Sequence, residues 1–129
     1  MNVFKKYAEY YDLFYDKKDY NYEVCFVNKL FNKHNLNNGL IAEYGSGTGK
    51  HAKIFNDYFK FNIIGYEISK SMIENSYKSK KFIPKLGDIR SSGQSNKFNA
   101  AMSLFHVINY LVIGKDLELA FANMYRVLK

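Results

Sequence analysis

The residues best suited to bind a ligand lie in the segment Glu43–Gly49, where glycine occupies every second position from Gly45 onward. Glycine lets the backbone turn tightly and approach a ligand that a Cβ atom would repel. The spacing differs from the dinucleotide fingerprint G-x-G-x-x-G, because the third glycine comes one residue early, and no Gly-Lys-Ser/Thr follows as in a Walker loop. A structural turn that binds nothing is the alternative.

Two carboxylates follow later predicted strands. Glu67 lies about 20 residues past Gly45, where dinucleotide-binding folds place the acid that binds a ribose. Its two oxygens can accept hydrogen bonds from both ribose hydroxyls. Asp88 could accept from an adenine amino group, and the backbone N–H of Ile89 could donate to a ring nitrogen. The alternatives are a solvated glutamate and a turn in which Asp88 caps a helix.

A fourth candidate segment, Ser103–Leu111, follows the last predicted strand. Phe105 and His106 would lie over the ligand cleft. His106 is a candidate general base, because imidazole titrates near neutral pH. The alternative is a packed histidine or one that only contacts a cofactor. We expect no metal site in this sequence.

Hydrophobic periodicity predicts the elements that position these residues. The predicted helices cover residues 4–15, 19–34 with Asp19 as cap, 50–59, 69–78 with Ser69 or Ser71 as cap, and 116–128. The predicted strands cover residues 40–44, 61–67, 81–86 and 98–104. Pro84 predicts that the third strand lies at a sheet edge. The alternation predicts an α/β fold, a parallel sheet with helices on both faces and ligands at the carboxyl ends of the strands.

Side chains facing the core can also be predicted. They are Val24, Val27, Leu30 and Phe31 in the second helix, and Ala52, Phe55 and Phe59 in the third. The single cysteine, Cys25, lies in an apolar helical stretch and is predicted to be a buried thiol, which fits a reducing cytoplasm. We expect neither a signal peptide nor a membrane span.

Length and charge limit the function classes. The 129 residues, 47% of them hydrophobic, predict one domain, with a helical cap at about 1–35 and a ligand-binding core at about 36–129. The net charge of +7 permits an anionic partner. The basic residues are nevertheless dispersed along the chain without a dense block, so a nucleic-acid surface is not favoured.

Four segments, taken in order, resemble the motifs of class I (Rossmann-like) S-adenosylmethionine-dependent methyltransferases. Glu43–Gly49 is similar to the E/D-x-G-x-G-x-G motif, Gly65–Met72 to the strand-two motif, and Gly87–Asp88 to the third motif. Phe98–Ala100 is similar to the F-D-A that begins strand four, with Asn99 in place of the usual aspartate. The resemblance covers essentially the whole chain.

The resemblance implies S-adenosylmethionine as the cofactor. Glu67 would bind the ribose and Asp88 the adenine, with Met72 near the adenine. Glu43 would position the loop or accept from the cofactor's ammonium. The full set of implied cofactor contacts is Tyr20, Glu43, Gly45, Gly47, Glu67, Ile68, Met72, Asp88, Ile89 and Phe105.

A narrower resemblance is to N,N-dimethyltransferases that act on nucleotide-linked amino sugars. The segments that carry it are Tyr11–Tyr15, Lys18–Tyr20, Ser103–Phe105 and Tyr110–Leu111. It implies that Tyr20 contacts the methionine carboxylate and that Tyr15 and Tyr110 face the acceptor amine. The implied catalytic candidates are therefore Tyr15, His106 and Tyr110, and the implied substrate is a small molecule.

Class I methyltransferases usually have about seven strands in the order 3-2-1-4-5-7-6, and only four are predicted here. The fourth would be an uncovered edge. We favour a fragment as the explanation over completion by a partner or homodimer, or a compact variant. The alternative functions are a non-catalytic cofactor-binding subunit, an RNA or protein methyltransferase, and a dinucleotide-dependent oxidoreductase.

Overall fold

The computed structural model describes Tyr10 and residues 16–104 and 107–129. The helices are α1 Tyr20–Lys33, α2 Lys50–Tyr58, α3 Lys70–Glu74 and α4 Gly114–Val127, with a 3-10 helix at Val107–Tyr110. The strands are β1 Asn38–Tyr44, β2 Lys60–Glu67, β3 Phe82–Leu86 and β4 Ala100–Ser103. Apart from Tyr10, the helix predicted over residues 4–15 lies outside the described residues, as do the site candidates Tyr15, Phe105 and His106. Within the described ranges, no helix combines the length and apolar character that crossing a membrane requires.

The strands of the described residues form one parallel sheet in the order β3-β2-β1-β4. Tyr44 at the end of β1 pairs with Tyr66 on one side and Ser103 on the other, so the carboxyl ends of the strands lie level with one another. β3 is at an edge, as Pro84 predicted, because proline cannot donate a ladder hydrogen bond. The predicted parallel α/β fold is confirmed.

Side-chain alternation in β1 and β2 produces two apolar clusters, one on each face of the sheet. Ile41 packs with Val24 of α1 and Phe55 of α2, whereas the next residue, Ala42, packs with Ala120 of α4. Both faces are therefore covered by helices, as predicted. The inward positions predicted for α2 are also confirmed, since Ala52 and Phe55 are fully buried and Phe59 packs against the same cluster.

Helix α1 begins at the predicted cap, where the Asp19 carboxylate accepts from a backbone N–H of the first turn at 2.8 Å. Two predictions for its faces are wrong. Cys25 is exposed, and Leu30 is 44% exposed. The buried stripe passes through Val24 and Val27. Cys25 is about 100° round the helix from Val24 and therefore points away from the core.

Helix α3 is shorter than predicted, ending at Glu74 instead of near residue 78. The chain leaves the helix because Tyr77 is drawn into tertiary contacts. Its N–H donates to the Thr48 carbonyl at 2.8 Å, and its ring stacks on Phe82 with the centroids 5.8 Å apart. The helix begins at Ser69, whose hydroxyl accepts from a first-turn N–H at 3.3 Å. The other predicted bounds differ by at most two residues from those observed.

A buried amide joins α4 to the loop that follows β3. Asn123 is 4% exposed, and its Nδ2 donates to the carbonyl oxygens of Ile89 at 2.9 Å and Ser92 at 2.8 Å. The hydroxyl of Tyr44 also donates to the Ser92 carbonyl at 2.8 Å. Burial and the neighbouring Tyr66 raise the pKa of Tyr44 to about 12, so this hydroxyl stays protonated. The interactions position the loop that carries Asp88.

Asn123→Ala should destabilise the chain, because the buried carbonyl oxygen of Ile89 loses its side-chain donor and that of Ser92 keeps only the Tyr44 hydroxyl. An unsatisfied buried polar group costs about 1–3 kcal/mol. Urea denaturation followed by circular dichroism measures the change in the free energy of unfolding. Asn32→Ala, at an exposed position of α1, is the control and should change it by less than about 0.5 kcal/mol. An equal decrease in the free energy of unfolding in Asn123→Ala and Asn32→Ala would contradict this role of Asn123.

Candidate cofactor-binding site

Three strand ends are joined by hydrogen bonds at one edge of the sheet. The N–H of Gly45, after β1, donates to the Tyr66 carbonyl in β2 at 2.7 Å. The N–H of Gly87, after β3, donates to the Glu67 carbonyl at 3.0 Å. Ligands of open parallel sheets bind at this edge, because the loops after the strands meet there. The glycine-rich loop, Glu67 and Asp88 are thus brought to one place.

Glu67 fastens the glycine-rich loop to the end of β2. Its Oε2 accepts from the N–H of Gly47 and its Oε1 from the N–H of Ser69, each at 2.9 Å. The residue is only 9% exposed. A carboxylate has about four acceptor positions, so each oxygen can accept one further hydrogen bond. Glu67 is positioned by the protein and still able to bind hydroxyl groups.

Two glycines of the loop have different roles. A Cβ atom on Gly45 would lie 2.2 Å from Val107, so Gly45 is required by packing against the segment after β4. Around the equivalent Cβ position of Gly47, whose φ is +55°, no described atom lies within 4 Å. As far as the described residues go, the backbone at Gly47 therefore faces open space beside the Glu67 carboxylate. A ligand can approach the chain closely there.

A cluster of charged side chains, buried at His51 and Glu43 and partly exposed at Glu23, lies behind the loop. His51 Nε2 is 2.6 Å from Glu23 Oε2, and His51 Nδ1 is 3.4 Å from Glu43 Oε1. Lys18 Nζ is 3.2 Å from the same oxygen of Glu23. Glu43 is only 1% exposed, and its Oε2 has no hydrogen-bond partner among the described residues. A buried carboxylate oxygen without a donor is able to accept from a cationic ligand group.

The pKa values in this cluster reflect competition between burial and pairing. Burial alone would lower the pKa of His51, but interactions with Glu43 and Glu23 outweigh it and raise that pKa above its ordinary value. Burial opposes ionisation of Glu23, yet hydrogen bonds from His51 and Lys18 lower its pKa. Burial lowers the pKa of Lys18. Pairing with the two carboxylates therefore favours the imidazolium form of His51.

Tyr20 lies against this cluster at the start of α1. Its ring meets His51 edge to face, with the centroids 5.0 Å apart, and Lys18 Nζ lies 4.7 Å from its centroid. An open cavity of about 380 Å³ is lined partly by Lys18, Tyr20 and Thr48. Because the residues that line it do not include Glu67 or Asp88, we do not assign an adenosine to this cavity.

Asp88 is already paired within the chain. Arg90 donates to it from Nε at 3.0 Å and from the terminal nitrogen at 2.6 Å, and also approaches Asp116 of α4 at 3.1 Å. The hydrogen bonds from Arg90 lower the pKa of Asp88, which stays an acceptor. The Ile89 side chain is buried in the core. The contact of its backbone N–H with adenine stays a prediction.

The remaining predicted site residues occupy different environments. Ile68, next to Glu67, is 73% exposed and offers apolar surface, while Met72 is buried. Tyr110 is 82% exposed, so its ring packs against little of the described chain. The structure does not fix Tyr110 beside the loop.

Comparison with known proteins identifies the family of the chain. A sequence profile described as a methyltransferase domain matches residues 42–129. The chain belongs to this methyltransferase domain family. The matched residues include the glycine-rich loop, Glu67 and Asp88, which are the residues gathered at the carboxyl edge of the sheet.

Similar proteins support the fold of the methyltransferase domain. The chain is 30% identical over 122 residues to dTDP-3-amino-3,4,6-trideoxy-alpha-D-glucopyranose N,N-dimethyltransferase of Streptomyces venezuelae, covering 90% of the chain and 50% of that enzyme. The crystal structure of Streptomyces venezuelae DesVI matches with a TM-score of 0.83 and 28% identity, over 95% of this chain and 53% of that one. CalS10 from Micromonospora echinaspora, an amino pentose methyltransferase solved with S-adenosylmethionine, is similar in fold, with a TM-score of 0.78, 23% identity, and coverage of 87% and 48%. The chain spans about half the length of these relatives.

Sequence reasoning did not identify three charged residues of this methyltransferase domain as part of the site. Glu23 is distant in sequence from the glycine-rich loop and reaches the site only through the fold, whereas Arg90 follows the predicted site residue Asp88 by two residues. His51 follows Gly49 by two residues, in the first turn of α2. Its place directly after the loop was the one sequence signal available.

Glu67→Gln should loosen the glycine-rich loop, because an amide has one acceptor oxygen and must turn its NH2 group toward the N–H of Gly47 or Ser69. A hydrogen bond to a charged group contributes about 1.5–3 kcal/mol. Native-state amide exchange should therefore accelerate roughly tenfold or more at Gly47 or Ser69. Glu74→Gln, at the exposed end of α3, is the matched control. Unchanged protection at both amides would contradict the role of Glu67 in fastening the loop.

Proposed function

We propose that the chain binds S-adenosylmethionine at the glycine-rich loop and serves methyl transfer to the amine of a nucleotide-linked amino sugar. The observation that carries the proposal is the pairing of Glu67 with the N–H of Gly47, at a position where the backbone meets no side chain of the described residues. An acceptor for a ribose thus lies beside a backbone that a ligand can approach. Membership of the methyltransferase domain family supports the proposal.

The residues at the site fit this cofactor. Glu67 retains acceptor capacity for the ribose hydroxyls. The buried Oε2 of Glu43, which has no donor among the described residues, suits the ammonium of the methionine part. Gly45 and Gly47 supply the tight turn that lets this part lie near the backbone. Tyr20 would contact its carboxylate.

The adenine end would lie over the loops after β2 and β3. Ile68 offers an exposed apolar side chain there, and Met72 of α3 is buried. Asp88, paired with Arg90, would accept from the adenine amino group through capacity that Arg90 leaves unused. The N–H of Ile89 would donate to a ring nitrogen. Phe105, outside the described residues, remains a predicted contact.

When bound, the cofactor supplies a methyl group activated by its sulfonium. The work of the protein is then to bind, align and exclude water from the two reactants. An amine acceptor must also lose a proton. Tyr15, His106 and Tyr110 remain the proposed relay that removes it, with Tyr110 on the exposed 3-10 helix and the other two outside the described residues.

An amino sugar is favoured as the acceptor because the Streptomyces venezuelae relative is named for N,N-dimethylation of a dTDP-linked amino sugar. The net charge of +7 suits a nucleotide-linked, anionic substrate as well as it suits RNA. We also propose a cytoplasmic location, because the exposed thiol of Cys25 would stay reduced there.

Isothermal titration with S-adenosylhomocysteine tests the cofactor site. We expect a Kd within the range of about 1 µM to 1 mM that enzymes commonly show for their substrates. Glu67→Ala removes charge-assisted hydrogen bonds of about 1.5–3 kcal/mol, so it should weaken binding roughly tenfold to a hundredfold. Gly47→Ala should do the same, because its methyl group would occupy the space into which the ligand must fit.

Gly114→Ala is the control for the glycine variant, since its Cβ would also meet no described atom but lies at the start of α4, where the backbone has an ordinary φ. It should bind like the original chain. Binding of NAD in place of S-adenosylhomocysteine would contradict the assigned cofactor. Equal binding by the original chain, Gly47→Ala and Glu67→Ala would contradict the assigned location.

Methyl transfer to a dTDP-linked amino sugar, followed by mass spectrometry of the sugar, tests the relay. The triple variant Tyr15→Phe, His106→Ala, Tyr110→Phe should lower the rate by about 10²–10⁴-fold, the usual contribution of general acid–base catalysis. Its affinity for S-adenosylhomocysteine should change little by comparison. Turnover that survives all three substitutions would eliminate the relay, and methylation of RNA instead of the sugar would redirect the substrate assignment.

A further inference from the structure

The buried cluster behind the glycine-rich loop requires one more proton than a neutral histidine carries. A neutral imidazole has one donor nitrogen and one acceptor nitrogen, whereas an ionised carboxylate only accepts. His51 faces Glu23 with one ring nitrogen and Glu43 with the other, at 2.6 Å and 3.4 Å. With His51 neutral and both carboxylates ionised, one lone pair would point at a carboxylate oxygen. The imidazolium form supplies a donor to each.

We propose that His51 is a positioning residue of the cofactor site, which in its imidazolium form connects Glu23 of α1 to Glu43 of β1 and so orients Glu43 toward the methionine end of the cofactor. This inference rests on the function proposed above. His51 itself touches neither reactant. It acts through Glu43, whose other oxygen is buried and has no hydrogen-bond partner among the described residues.

The charges of the cluster favour this protonation state. Among the described residues, the ionised groups that pair at His51 and Glu23 are Lys18 and Glu23 from the α1 side and Glu43 from β1, and Tyr20 packs against the ring as a neutral phenol. With His51 as an imidazolium, these two positive and two negative groups balance, and Lys50 Nζ lies farther out, 5.8 Å from the Tyr20 centroid. The methionine end of the cofactor is a zwitterion and adds no net charge. Loss of the His51 proton would leave buried Glu43 without a charged donor at Oε1, and a buried carboxylate that loses its partner is costly.

The ion pair between Glu23 and His51 connects α1 to the glycine-rich loop. Glu23 lies on α1, near Tyr20, whereas His51 lies in the first turn of α2, two residues beyond the loop. Glu23 has a side chain that is 34% exposed, while that of His51 is 9% exposed. The ion pair thus joins a partly exposed residue of α1 to a buried residue next to the loop. Its protonation should influence how firmly α1 packs over the methionine end.

The first arm of the test needs no cofactor. A ¹³C or ¹⁵N NMR titration of the imidazole of His51, assigned by its loss in His51→Gln, should show a pKa above the ordinary histidine value of about 6.5. Because the folded value is raised, the stabilisation is complete below about pH 6.5 and is lost as the pH rises through the folded value. The original chain should have a higher urea midpoint than His51→Gln below about pH 6.5, and this difference should narrow as the pH rises through the pKa of folded His51. His34→Gln is the control and should show no such trend.

The second arm measures affinity for S-adenosylhomocysteine by calorimetry between pH 6 and 9. Affinity should fall by up to about tenfold for each pH unit above the pKa of His51. His51→Gln and Glu23→Gln should both flatten this profile, whereas His34→Gln should leave it intact. A structural role of His51 alone would lower stability without changing the slope of the binding profile.

The two arms separate the possible failures. If the folded chain binds no S-adenosylhomocysteine at any pH, the proposed function is refuted, and with it the role of His51 toward the cofactor. The NMR titration still decides whether His51 forms the imidazolium bridge between Glu23 and Glu43. Binding with the same pH slope in the original chain and in His51→Gln would overturn the positioning role alone. A His51 pKa at or below the ordinary histidine value of about 6.5 would overturn the bridge itself.

Discussion

The hydrogen bonds of one carboxylate determine the arrangement of this site. Glu67, at the end of β2, accepts from the N–H of Gly47 in the loop after β1 and from that of Ser69 at the cap of α3. Parallel pairing of β1 with β2 places these groups level, because Tyr44 and Tyr66 are opposite each other. The turn, the strand end and the helix start are thus fixed relative to one another by a single buried anion. A site of this kind is preorganised, since the chain itself holds the acceptor in place before a ligand arrives.

The fold was largely predictable because its signals are local. Apolar stretches followed by glycine or a carboxylate predicted the strands, and Pro84 predicted which of them lies at an edge. The incorrect predictions concern residues whose position is determined by tertiary contacts and not by the local hydrophobic pattern. Tyr77 leaves the predicted helix because it packs on Phe82, and Cys25 is exposed because the sheet lies on the other side of α1.

The site was predictable only in its motif residues. Glu43 was expected to position the loop or bind an ammonium, but its connection through His51 to Glu23 could not be read from the sequence, since 28 residues separate the last two. Arg90 was likewise missed, although it neutralises Asp88 and joins it to α4. His51 balances the charge of buried Glu43, which depends on which elements pack together, whereas Arg90 pairs with Asp88 at a partly exposed position. A buried ion pair stabilises little by itself but is costly to break, so such residues constrain the protonation state of the site.

The most direct test of the central claim is a ¹⁵N–¹H correlation spectrum of the chain titrated with S-adenosylhomocysteine. If the glycine-rich loop and Glu67 form the cofactor site, the amides of Gly47, Ser69 and Ile89 should shift together along one saturable curve. Amides at the opposite edge of the sheet, where the strands begin, should not shift; that of Lys60 at the start of β2 is an example. Saturable shifts confined to residues away from the carboxyl edge, or none at the Gly47 amide, would contradict the account.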